Sequence, residues 1–180
     1  KSFKNIPWID ETMDANQKDT VSNRQFTRDQ LFDKIAADFQ FAVDNLPESQ
    51  SQVGRPTKYA AEAYLAKIRL YQAYQEDDQN NVTSINSTLL EEVVSLTDSV
   101  INSGKYRLSD DFADNFLFEN ENGPESIFAI QFSINDGTPI GRADWSHNLN
   151  YNINPAYGCC SFSRPSDNMV NAFKTDVNGL

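Results

Sequence analysis

His147 is the only histidine of the chain and sits in the segment "RADWSHNLNYNINP". Nucleophilic catalysis needs a base beside a positioned nucleophile, with a third group orienting the base. No GxSxG elbow accompanies His147, so its setting predicts a ligand-contact or polar-loop role. Paired carboxylates offer a second chemistry, glycoside hydrolysis, in which two acids flank the scissile bond. With 26 acidic residues in the chain, pairs such as Glu91–Glu92 and Asp110–Asp111 arise from composition alone. They read as helix-surface or first-turn charges. The run "DDQNN" from Asp77 is oxygen-rich but lacks the glycine and closing glutamate of an EF-hand, and it predicts a solvated turn. Cys159 and Cys160 are adjacent, with no further Cys or nearby His to complete a zinc set. They are expected as buried thiols or as a strained vicinal disulfide. Asn81 and Asn86 each open a formal glycosylation sequon. No metal and no cofactor is expected.

A different kind of chemistry is suggested by Trp145, His147, Asn148, Asn150 and Tyr151, followed by Asn152 and Tyr157. Sugars present apolar C–H faces beside dense hydroxyls. Flat rings supply stacking area for the faces, and amide or carboxylate side chains supply hydrogen bonds for the hydroxyls. The competing reading is that these rings anchor a long loop to a helical body, as satellite cores do. Trp8 with Asp10 poses the same choice near the start of the chain.

Charge narrows the partners. The chain has 15 basic and 26 acidic residues, a formal charge of −11. That balance argues against a nucleic-acid partner, whose phosphates require clustered Lys and Arg. It argues equally against electrostatic docking on anionic lipid. No apolar run approaches the roughly 20 residues that span a bilayer. The opening "KSFKNIPWIDETM" has no signal-peptide pattern, and the expectation is a processed chain or an internal piece. At 180 residues and 12% aromatic, one ring-rich domain is expected.

The elements that must position these groups are mainly helical. Residues 1–26 read as an irregular lead-in with an apolar knot at Phe3, Ile6, Trp8 and Ile9. Thr27 and Gln30 form a capping-box pattern, and Leu31, Ile35, Phe39, Ala42 and Leu46 recur at the helical period until Pro47 stops the ladder. Gly54, Arg55 and Pro56 read as a bend that aims a second helix, with Thr57 as its cap. On that helix, 57–75, the stripe Tyr59, Ala63, Ala66, Leu70 and Ala73 predicts close approach of a neighbour, and Ala60, Tyr64 and Tyr71 widen it. A third helix, 88–102, carries Leu89, Val93, Leu96 and Val100, with Gly104 at the left-handed cap position. The second and third helices resemble the arms of a tetratricopeptide-like hairpin, although no 34-residue period recurs. Beyond residue 105 the pattern predicts a helical turn at Asp110–Phe118, one strand in "ESIFAIQFS", a long irregular segment to about Pro165, and a last helix over Ser166–Phe173. The predicted fold is therefore mainly α, with helical hairpins, a long loop-rich segment and little β. Residues 1–180 are expected as a single domain: lead-in 1–26, helical core 27–104, and short helices, one strand and aromatic loops over 105–180.

Four landmarks, in order, resemble the RagB/SusD family of outer-membrane nutrient-binding lipoproteins. They are "NIPWIDE", "GRPTKYAAEAYLAKIRLYQA", "KYRLSDDFADNFLFENENGPESIFAIQF" and "GCCSFSRPSDNMVNAFKTDVNG". Two departures stand out: cysteines where a Gly-rich turn is expected, and Asp176 separated from Gly179 by one residue more than a plain Asp-x-Gly. The resemblance implies a helical, tetratricopeptide-containing protein with a loop-rich half. It also implies glycan binding outside the cell and a TonB-dependent outer-membrane transporter as partner. Membrane association would come only through a lipid anchor outside this chain. The family's glycan site varies too much for residue-by-residue transfer, so Trp145, His147, Asn148, Asn150, Tyr151, Trp8 and Asp10 are proposed as ligand contacts from side-chain physics alone. Gly54, Arg55, Pro56, Thr57, Ala63, Ala66 and Tyr71 are assigned structural roles.

The reading is a non-catalytic module that captures an oligosaccharide. One alternative is a helical scaffold for a protein or peptide, recognised by exposed stripes on the second and third helices. The other is an acid–base glycosidase, which requires two carboxylates about 5 to 10 Å apart across a cleft.

Overall fold

The computed structural model describes residues 5–132 and 166–172. Contacts divide the chain into two compact units, Lys1–Ala129 and Ile130–Leu180. The first unit is mainly helical, and each of its helices is bounded by readable local chemistry.

Helix α1, Ala15–Thr20, corrects the expectation of a wholly irregular lead-in. Its six residues carry no apolar periodicity and none is buried. Its signal is the capping box alone: Asp14 accepts from the Gln17 amide at 2.9 Å, and Gln17 returns the bond to the Asp14 amide at 2.8 Å. Helix α2, Arg28–Asn45, begins with the expected box between Thr27 and Gln30. It stops at Leu46, whose extended backbone (φ −82°, ψ 144°) is the conformation the following Pro47 imposes. Leu31 and Ala36 are buried, while Ile35, Phe39, Ala42 and Leu46 are half-buried, so the predicted stripe faces inward.

The loop into the next helix behaves as a bend. Gly54 has φ 84°, a region a Cβ would strain. Arg55 donates to the Gln52 side-chain oxygen at 2.5 Å, the Pro56 carbonyl accepts from Gln50 at 2.9 Å, and the Lys58 amide bonds the Pro47 carbonyl at 2.9 Å. Thr57 then caps helix α3, Lys58–Ala73, by accepting from the Ala60 amide.

Helix α3 lies between α2 and α4 (Ser87–Asn102). Phe39 stacks on Tyr64 at 5.5 Å, and Arg28 reaches the Tyr71 carbonyl, so α2 and α3 run in opposite directions. Arg69 meets Glu92 while Tyr59 meets Tyr106, so α3 and α4 are also antiparallel. Two neighbours bury more of α3 than one stripe. Tyr59, Ala66 and Ala73 are buried as expected, Ala63 and Tyr71 are half-buried, but Leu70 is 40% exposed. In its place Ala61, Leu65, Glu62 and Gln72 are buried, none of which a single-sided stripe anticipates. Gln72 is satisfied by Asp33 at 2.8 Å and Arg69 at 2.7 Å. Glu62 has Lys58 at 3.8 Å from one oxygen, and the other oxygen has no hydrogen-bond partner. Burial pushes the Tyr59 phenol up, and the neighbouring Glu48 carboxylate adds to that shift.

A β-hairpin joins α3 to α4 and corrects the expected helix to Gln75. Strands β1 (Tyr74–Glu76) and β2 (Val82–Ile85) pair antiparallel, with an irregularity between Gln75 and Glu76. The solvated turn between them is built on Asp77, which accepts from the Gln79 and Asn81 amides, while Asn80 takes φ 67°. Val82, Thr83 and Ile85 of this strand are β-branched, and their strand preference is legible in hindsight. Asn86 closes the hairpin through its amide to Ala73, and its side chain caps α4 at the Leu89 amide. Leu89, Val93 and Leu96 are half-buried and Val100 is buried, as the spacing predicts. Gly104 (φ 67°) ends the helix.

The predicted helical turn near Asp110–Phe118 forms as two 3-10 turns, Phe112–Phe116 and Phe118–Asn120. The predicted strand in "ESIFAIQFS" does not form within the described residues. Residues 125–129 are half-buried at both parities rather than alternating, and among the described residues no second strand pairs with them. Phe128 instead meets the Tyr64 ring edge-on at 6.3 Å. Within the second unit, helix α5, Asp167–Ala172, lies inside the predicted Ser166–Phe173 span, with the Ser166 hydroxyl accepting from the Met169 amide.

Two outcomes test this packing. Leu65 has no exposed surface, and Leu65→Ala is expected to cost about 3 kcal/mol in chemical denaturation, since collapse around the cavity is partial. Glu62→Met should leave stability unchanged or raise it by up to about 2 kcal/mol, because it removes a buried charge with an unpaired oxygen; a clear loss would show that Glu62 stabilises the native state.

Candidate functional site

The proposed ring and amide contacts Trp145, His147, Asn148, Asn150 and Tyr151 lie outside the described residues, as do Cys159 and Cys160. Trp8 and Asp10 are described, and both have partners within the chain. The Lys34 ammonium of α2 sits 5.2 Å from the Trp8 ring and 4.6 Å from the Phe26 ring, bracing the lead-in against α2. One Asp10 oxygen accepts from both the Thr12 amide and the Thr12 hydroxyl. Those two bonds, the hydroxyl first, hold the Asp10 carboxyl below its usual range. Of the residues given structural roles, Gly54, Arg55, Pro56 and Thr57 form the bend and cap, Ala63 and Ala66 belong to α3, and the Tyr71 carbonyl is a hydrogen-bond acceptor.

Among the described residues of the first unit, two concavities stand out. One is an apolar groove of about 450 Å³ walled by Leu31, Phe32 and Ile35 of α2, Leu70 of α3, and Tyr74 and Val82 of the hairpin. Its polar edge is Arg28. One guanidinium nitrogen donates to the Tyr71 carbonyl at 2.6 Å and the Tyr74 carbonyl at 2.9 Å, and the group lies 4.7 Å from the Phe32 ring centre. The cation therefore serves the carbonyl end of α3, where helix carbonyls lack intrahelical donors. The groove thus offers mainly apolar surface. Sequence reasoning placed Leu31, Ile35 and Leu70 on core stripes; the groove required the hairpin, which that reasoning missed.

The second concavity is a polar cleft of about 370 Å³ at the two 3-10 turns, lined by Arg107, Asp114, Asn115, Glu119 and Asn120 among others. Glu125 organises it: one oxygen accepts from the Ser109 amide at 2.8 Å and from the Asn115 amide group at 3.0 Å. The Asn115 bond and then the Ser109 bond hold the Glu125 carboxyl below the usual glutamate range. Asn120 donates to Asp114, and Arg107 to the Leu108 carbonyl. The Phe112 and Phe116 rings meet edge-on at 5.2 Å, and both are exposed, as is Phe118. The cleft's carboxylates can accept hydrogen bonds, and the Asn115 and Asn120 amide groups each donate to a carboxylate within the chain. Among the described residues no group of His, Cys, Asp and Glu is arranged to hold a metal ion, and no helix is long and apolar enough to cross a membrane.

No profile of a known protein family matches the chain. A SusD-like protein of Bacteroides ovatus is 30% identical over 166 residues, which is 91% of this chain and 27% of that protein. SusD-like protein P2 of Formosa agariphila is 36% identical over 69 residues, 38% of this chain and 13% of that protein. A solved crystal structure superposes with a TM-score of 0.52 at 30% identity, over 59% of this chain and 20% of its own. This chain thus spans about a quarter of the Bacteroides protein and less of the others. The similarities support the SusD-like resemblance at the level of the family.

Two variants probe the site. Arg28→Met leaves two α3-terminal carbonyls without their charged donor and is expected to lower stability by about 2 kcal/mol. For Glu125, the depressed folded-state pKa means that its stabilisation is complete above the unfolded-state value and is lost as pH falls through the folded value. Denaturation across the acid range should therefore show a fall in stability at low pH that Glu125→Gln weakens; an unchanged profile would remove Glu125 from the organising role.

Proposed function

We propose that this chain belongs to a SusD-like protein and serves the non-catalytic capture of oligosaccharide at the outward face of the outer membrane, for delivery to a TonB-dependent transporter. The observation that carries this reading is the 30% identity over 91% of the chain to a SusD-like protein. In it, α3 and α4 form one hairpin of a tetratricopeptide-like scaffold, and a lipid anchor outside residues 1–180 supplies the attachment. Trp145 and Tyr151 stack on sugar faces, while His147, Asn148 and Asn150 bond hydroxyls; Trp8 and Asp10 are a secondary contact. Binding needs no covalent step and no cofactor.

The helical scaffold as a protein or peptide partner surface is a second reading. It is favoured by the apolar groove beside α3 and by exposed Val94 and Ile101 on α4.

A soluble glycan panel, read for both binding and reducing-end release, separates these readings and the glycosidase alternative. Wild type should bind without release, and Trp145→Ala should bind about tenfold more weakly, equivalent to about 1.4 kcal/mol. Reducing-end release would sink the non-catalytic reading. Unaltered affinity in Trp145→Ala would remove that ring from the site. A folded full-length protein that binds no glycan would leave the scaffold reading as the better one.

A further inference from the structure

We draw no further inference here: the strongest candidate, the polar cleft at the two 3-10 turns, is a cluster of carboxylates and amides beside the exposed Arg107, with no second observation that points to a ligand.

Discussion

Arg69 projects from the central helix α3 toward carboxylates on both neighbours, reaching Asp33 of α2 at 3.2 Å and Glu92 of α4 at 3.1 Å. It also bonds Gln72 on its own helix, which in turn bonds Asp33. The carboxylates are partly exposed, so each ion pair is worth at most about 1 kcal/mol. Their effect is on register: a fork of fixed geometry that meets both partners admits one sliding position for each helix. The driving energy lies beneath this network, in Ala60, Ala61, Leu65, Ala66 and Ala73, where small side chains bring the helices close and remove apolar surface from water.

Other features follow from holding α3 in the middle. Its carbonyl end is met by Arg28 of α2, and the chain leaves directly into β1. The hairpin returns to Asn86, which bonds Ala73 through its backbone and starts α4 with its side chain. One residue thus closes the β-ladder and caps the next helix. The apolar groove is the space left between α2, α3 and that hairpin, with Arg28 serving as both cap and wall. The same burial accounts for Glu62, which is buried on α3 with Lys58 as its ion-pair partner.

For function, the first unit supplies scaffold more readily than chemistry. Trp8 and Asp10, attractive as ring and carboxylate, are engaged with Lys34 and Thr12. Glu125 spends its charge on backbone and amide donors that shape the 3-10 turns. Such arrangements suit a rigid support. The acidic balance of −11 disfavours polyanionic partners, which an excess of like charge repels.

The capping box at Thr27, the stop before Pro47, the Thr57 cap and the Gly104 terminator were all legible in the amino-acid sequence, because each depends on atoms within about four residues of one another. The α2 and α4 stripes were legible for a related reason: a helix with one packed side writes a single period. Helix α1 was equally local but carried no apolar stripe, so its capping box alone marked it. Tertiary structure decided what depends on distant partners. It buried Leu65, Glu62 and Gln72 by placing helices on two sides of α3, and turned Tyr74 to Ile85 into a hairpin. Among the described residues it also gave "ESIFAIQF" no strand partner, because a β-strand exists only where another strand completes its hydrogen bonds, and no local pattern specifies that.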